Sequence, residues 1–179
     1  STDAPMIPLP VTMPASHLPA GRMLDTLLES GLLEEERLNE LVDRLIDFHR
    51  ACATGPGVDE HAAPEELRRQ TTDNLDALET IGASEPEAIV TPRFHGYLRA
   101  ATVGFLDGRR DFLRRRVREG RVREGHGDLH AGNFCLEDAG IVVYDCIEFT
   151  PRFRCRDVAA EMSFLAMDLD VRGFPDVAD

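Results

Sequence analysis

The apolar positions of this chain follow a helical rhythm first and a strand rhythm only late. Met23, Leu24, Leu27 and Leu28 recur at helical intervals, and Gly31 ends the run. A longer helix is predicted from about Leu33 to Cys52, with Leu38, Leu41, Val42, Leu45, Ile46 and His49 on one face, and Gly55-Pro56-Gly57 breaks it. Pro64 suits the first turn of a third helix, where Glu65 and Glu66 favour the positive end of the helix dipole. That helix fades at Gly82, and a fourth helical region is expected from about Glu87 to Arg118, with breaks at Pro92, Gly104 and Gly108. Phe134-Cys135-Leu136 and Ile141-Val142-Val143-Tyr144 then flank a Glu137-Asp138-Ala139-Gly140 turn, which predicts a β-hairpin. Asp157 is placed to cap a last apolar helix running to about Asp170.

This order predicts an α+β fold that is mainly helical, with a small hairpin beside a functional loop. A central parallel sheet is not expected, because strands do not alternate with helices. Residues 1–19 carry five of the eleven prolines, so residues 1–18 are expected to be an extended arm or hinge remnant. Residues 19–179 are expected to form one folded lobe.

Charge and composition narrow the function. The formal net charge of −13 argues against general nucleic-acid or anionic-membrane binding. The N-terminus has no basic region followed by an apolar core, and no run reaches the ~20 apolar residues of a membrane span. Cys52, Cys135, Cys146 and Cys155 form no C-x-x-C pair, which suggests reduced thiols in a cytoplasmic protein. The arginines between Arg109 and Arg123 make either a solvated helix face or a phosphate-facing or docking patch. All 20 basic residues are arginine. Without lysine there can be no Walker-type phosphate loop.

The chemistry concentrates in Gly125-His126-Gly127-Asp128-Leu129-His130-Ala131-Gly132-Asn133 and in Tyr144-Asp145-Cys146-Ile147-Glu148. Phosphoryl transfer to a hydroxyl needs a carboxylate that orients the hydroxyl and oxygen ligands that hold magnesium on the phosphates. Asp128 suits the first role. Gly127 and Gly132 permit a tight backbone around it, and His126 and His130 can pin that loop. Asn133 precedes the hairpin and Asp145 follows it, so the two can converge on one magnesium ion. Glu148 is a candidate loop partner or second-metal ligand, and Asp157 is expected to brace the loop's amides. A lesser alternative is a metal hydrolase using His126, Asp128 and His130.

The run from His126 to Asn133, with Asp145, resembles the aminoglycoside phosphotransferase family, whose catalytic domain is protein-kinase-like. Tyr144–Phe149, Arg152-Phe153 and Asp157–Ala160 look like a bacterial subgroup whose members are in some cases fused to a P-loop kinase domain. Leu18-Pro19 and Arg22-Met23-Leu24 look like the stretch just after the interlobe hinge of that subgroup. The resemblance implies a kinase C-terminal lobe with Asp128 as catalytic aspartate, Asn133 and Asp145 as magnesium ligands, ATP as co-substrate and a small-molecule hydroxyl as acceptor. Gly127 stands where protein kinases have arginine, so control by activation-loop phosphorylation is not implied. The glycine-rich loop, lysine and glutamate of an N-terminal lobe are not visible, and family members usually continue past the helix after Asp157. A fragment, weak or inactive by itself, is therefore expected. The alternative is a non-catalytic binding or docking module derived from such a kinase.

Overall fold

The computed structural model describes residues 19–84 and 90–178. The expected arm at 1–18, and Glu87 to Ile89 of the fourth helical region, lie outside the described residues. A short 3-10 turn at Ala20–Arg22 leads into α1 (Leu24–Glu29), and Gly31 ends that run with a φ of 67°. Helix α2 (Glu35–Ala51) follows the predicted span closely. Its buried residues are Leu41, Leu45, Phe48 and His49, whereas Val42 and Ile46 are exposed. The buried stripe is thus rotated from the predicted face toward Phe48.

A helical insertion comes next: α3 (Pro56–Asp59), α4 (Pro64–Ser84), α5 (Pro92–Gly108) and α6 (Arg110–Arg118). Pro92 starts α5 and the break falls after Gly108, while Gly104 stays inside the helix. Arg68 pairs with Asp107 and Arg99 with Asp76, so α4 and α5 run antiparallel. His95, buried, meets the Leu75 carbonyl at 2.8 Å and ties the two helices.

The strands form two antiparallel ribbons. In the first, β1 (Val122–Glu124) pairs with β4 (Cys155–Asp157); in the second, β2 (Phe134–Glu137) pairs with β3 (Gly140–Val143). The predicted hairpin is β2–β3, in register Phe134↔Val143 and Glu137↔Gly140. The chain closes with α7 (Pro151–Arg154), α8 (Val158–Val171) and α9 (Pro175–Ala178). This is an α+β fold, mainly helical with small antiparallel sheets. No helix among the described residues is long and apolar enough to cross a membrane.

The core gathers where α1, α2, the hairpin and α8 meet. Leu24, Leu45, Leu129, Phe134, Val143 and Leu165 pack there with at most 4% exposure. Leu129 and Phe134 belong to, or adjoin, the histidine-rich loop, so the core anchors that loop directly. The arginine cluster is largely occupied in holding the fold: Arg114 pairs with Glu65, Arg110 with Asp107, and Arg116 grips Asp157 through two bonds. Truncating Phe134 to alanine should cost about 3–5 kcal/mol in chemical denaturation, because the cavity would open beneath the hairpin. A loss under ~1 kcal/mol would show that the hairpin is not seated on this core.

Candidate functional site

The loop from Gly125 to Asn133 joins the two ribbons, leaving β1 and entering β2. Its backbone is held from beneath by α8. The Glu161 carboxylate, 2% exposed, accepts the amides of His126 at 2.7 Å and Gly127 at 2.6 Å on one oxygen. Its other oxygen meets His49 Nε2 at 2.8 Å. Two turns along α8, Asp168 accepts the amide of Ala131 at 2.9 Å. Both ends of the loop are therefore tied to acids on one face of one helix. Burial pushes the Glu161 carboxyl up, but the bonds from His49 and Gly127 outweigh it and hold Glu161 below the usual carboxylate range. His49 Nδ1 faces the Leu45 carbonyl at 2.9 Å.

Two glycines make this approach possible. A Cβ on Gly125 would stand 2.3 Å from Glu161 Oε2. Gly127 has a φ of 89°, and a Cβ there would meet the backbone of Phe153 and Arg154.

His126 is fully buried, and its neighbours fix its tautomer. Nε2 lies 2.7 Å from the Tyr144 carbonyl and must donate, which leaves Nδ1 to accept the Asp128 amide at 3.3 Å. Burial pushes its imidazole below the ordinary value, against the pull of the Tyr144 carbonyl. With both nitrogens engaged, His126 is a loop support and has no free atom for a metal. His130 also supports the loop: Nδ1 accepts the Gly132 amide at 3.2 Å, and Nε2 stands 3.7 Å from Asp128 Oδ2.

Three oxygen-bearing residues, Asp128, Asn133 and Asp145, lie around this frame. The side chain of Asp128 is 44% exposed. Asn133 is buried and donates Nδ2 to the Asp128 carbonyl at 2.9 Å. The Asn133 carbonyl accepts the Tyr144 amide at 3.1 Å, closing the hairpin's ends beside Asp145. Asp145 is exposed, makes no hydrogen bond or ion pair among the described residues, and has a φ of 61°. It is the one residue other than glycine with positive φ among the described residues. Aspartate tolerates that conformation, and such outliers cluster at functional sites. One amide oxygen and one carboxylate suit magnesium, a hard cation that keeps several waters and takes phosphate oxygens as well. Among the described residues no cluster of three or more His, Cys, Asp or Glu is placed to hold a metal.

One expectation changes. Asp157 does not brace the loop. It caps α8 by accepting the Ala159 amide at 2.8 Å and holds Arg116, because a strand N-terminal to α8 carries it away from the loop. Glu161, one turn further on, takes that part. Glu148 is exposed, and its carbonyl accepts from Arg154. Glu161, Asp168 and His49 were not among the sequence candidates. The available signal was Glu161 and Asp168, seven apart in a mostly apolar helix that also carries Ser163 and Asp170. The thiols lie outside the chemistry: burial pushes Cys146 up to about 11 and Cys52 up to about 12.

No family model matches the chain, and no solved structure matches it. It is similar to uncharacterized proteins of Mycobacterium tuberculosis and Mycobacterium bovis, at 27% identity over 156 residues. The match covers 87% of this chain and 30% of each relative, so the chain spans less than a third of their length.

His126 and Glu161 both hold folded-state values below their unfolded ones. The stability they contribute is present above the unfolded values, about 6.5 and 4.3, and is lost as pH falls through the folded ones. Denaturation midpoints should therefore fall on acidification below about pH 6.5. Glu161→Ala should cost about 3–5 kcal/mol by stranding His49 and two buried amides. Glu161→Gln should keep the fold and lose the lower, carboxylate part of the acid dependence. Equal stability of wild type and Glu161→Ala would contradict the brace.

Proposed function

We propose that this chain is the catalytic lobe of a magnesium-dependent phosphotransferase that moves the γ-phosphate of ATP to a small-molecule hydroxyl. The lobe is read as kinase-like, by resemblance to aminoglycoside phosphotransferases, and as cytoplasmic and bacterial. The observation that carries the reading is the arrangement of Asn133, Asp145 and Asp128. Asn133 and Tyr144 are bonded at the open end of the hairpin, which sets Asp145 next to that end, and Asp128 lies on the loop that leads into it.

In this reading the acceptor hydroxyl approaches Asp128, which orients it and takes its proton. The acceptor oxygen bonds to the γ-phosphorus as the bond to the bridging oxygen breaks, and ADP leaves with that electron pair. Magnesium, when bound, neutralises charge on the phosphates. Asn133 Oδ1 and the Asp145 carboxylate are the residues that would hold it. The hydrolase alternative is weaker, because His126 has both nitrogens committed to backbone groups.

The absence of lysine favours a second reading. A kinase normally clamps the phosphates with a lysine, so this chain alone can retain a nucleotide or metal site without turnover. An N-terminal lobe or a fused P-loop kinase domain is then the natural partner.

Incubation with γ-labelled ATP, magnesium and a panel of sugars, amino alcohols and hydroxy acids tests the first reading. Label should pass to a hydroxyl compound, and Asp128→Ala should slow transfer by about 10²–10⁴-fold with little change in ATP affinity. Equal transfer by the variant would remove Asp128 from the chemistry. No transfer by wild type would favour the binding module.

A further inference from the structure

The segment after Asp145 carries three alternating arginines, and they are not equivalent. Arg154 is fully engaged, with Glu124 at 2.7 Å and the carbonyls of Ile147 and Glu148. The Nε atoms of Arg152 and Arg156 are buried without a hydrogen-bond partner, and neither side chain forms an ion pair among the described residues. Arg152 has other company: its guanidinium lies 5.0 Å from the Phe153 ring centroid, and its charge is felt by Glu66 of the helical insertion.

Arg156 has none of this. In the β1–β4 ribbon it stands opposite Arg123, a like charge whose guanidinium is already given to the carbonyls of Arg50 and Cys52. The acids whose charge reaches it are Glu161 and Asp128. Glu161 is saturated by His49 and two amides, and Asp128 is the loop's projecting carboxylate. A guanidinium is always charged, and leaving it half-buried without a partner is costly. Its planar fork matches a carboxylate or a phosphate.

Topology says which side it serves. Asn133 and Asp145 lie at the β2–β3 ribbon, where the loop ends, and Arg156 lies at the β1–β4 ribbon, where the loop begins. Asp128 lies on the loop that joins the two ribbons. The geometry points to Arg156 as the receptor for an anionic group, phosphate or carboxylate, on the acceptor, at the ribbon where the loop begins, whereas Asn133 and Asp145 lie at the ribbon where it ends. The word acceptor rests on the phosphotransferase reading; the anion site does not. The substrate class becomes an anionic hydroxyl compound, such as a sugar phosphate or hydroxy acid, despite the acidic surface of the chain.

The test uses the whole chain at constant ionic strength, without magnesium or nucleotide, and inorganic phosphate as probe. Calorimetry should show saturable 1:1 binding, weakened about ten- to a hundredfold in Arg156→Met. In phosphate-free buffer Arg156→Met should melt at or above the wild-type Tm, since an uncompensated charge has gone. A lower Tm would reveal an internal partner and overturn the inference. So would unchanged phosphate affinity, or an equal loss in Arg109→Gln, which would mark diffuse attraction to an exposed arginine. A separate titration with magnesium and ATP should be unaffected by Arg156→Met. A parallel loss there would assign the anion to the nucleotide and overturn the acceptor assignment. Phosphate binding that depends on Arg156, with no transfer to any hydroxyl compound, would keep the anion site while removing the phosphotransferase reading.

Discussion

One buried carboxylate organises the candidate site. Glu161 joins α8, α2 and the loop at a single point: two loop amides and His49 share its two oxygens. A carboxylate at 2% exposure persists only if its bonds replace water fully. Here they do, and the consequence is geometric. The amides of His126 and Gly127 cannot turn without stranding the charge. His126 is then aimed at Tyr144, and Tyr144 is joined through its own amide to Asn133. Asn133, Asp145 and Asp128 thus inherit their positions from a bond none of them makes.

The site divides accordingly into a fixed frame and free ends. Backbone groups and histidines of the loop are satisfied internally, whereas the carboxylates of Asp128 and Asp145 project toward solvent. Side chains held on such a frame would lose little freedom on binding a ligand. Asp168 repeats the brace at the far end of the loop, and Arg172 ties Asp168 in turn to Glu29 and Asp25 of α1. Helix α8 therefore connects the loop to the segment that opens the described chain.

Local patterns were legible in the sequence, and long-range partners were not. The hairpin follows alternation across a short turn, and the loop is marked by glycines and histidines within nine positions of one another. Both signals are carried by neighbours in the chain. The β1–β4 ribbon escaped because each strand has three residues and the pair is separated by the whole loop and hairpin, too little for a period of two to register. Val42 and Ile46 were assigned to the buried face of α2 by periodicity, but Phe48 and His49 turn that face toward Glu161. Glu161 itself looks like a break in an apolar helix. Only its partners, more than thirty residues upstream, explain it.

The central claim is that Asn133 and Asp145 hold a magnesium-nucleotide complex beside Asp128. Calorimetry of magnesium and ATP binding to the chain and to Asp145→Asn tests it most directly. The account predicts measurable, magnesium-dependent binding to the wild type that is lost in the variant while its fold, followed by circular dichroism, is unchanged. Equal binding by both proteins, or binding indifferent to magnesium, would contradict it.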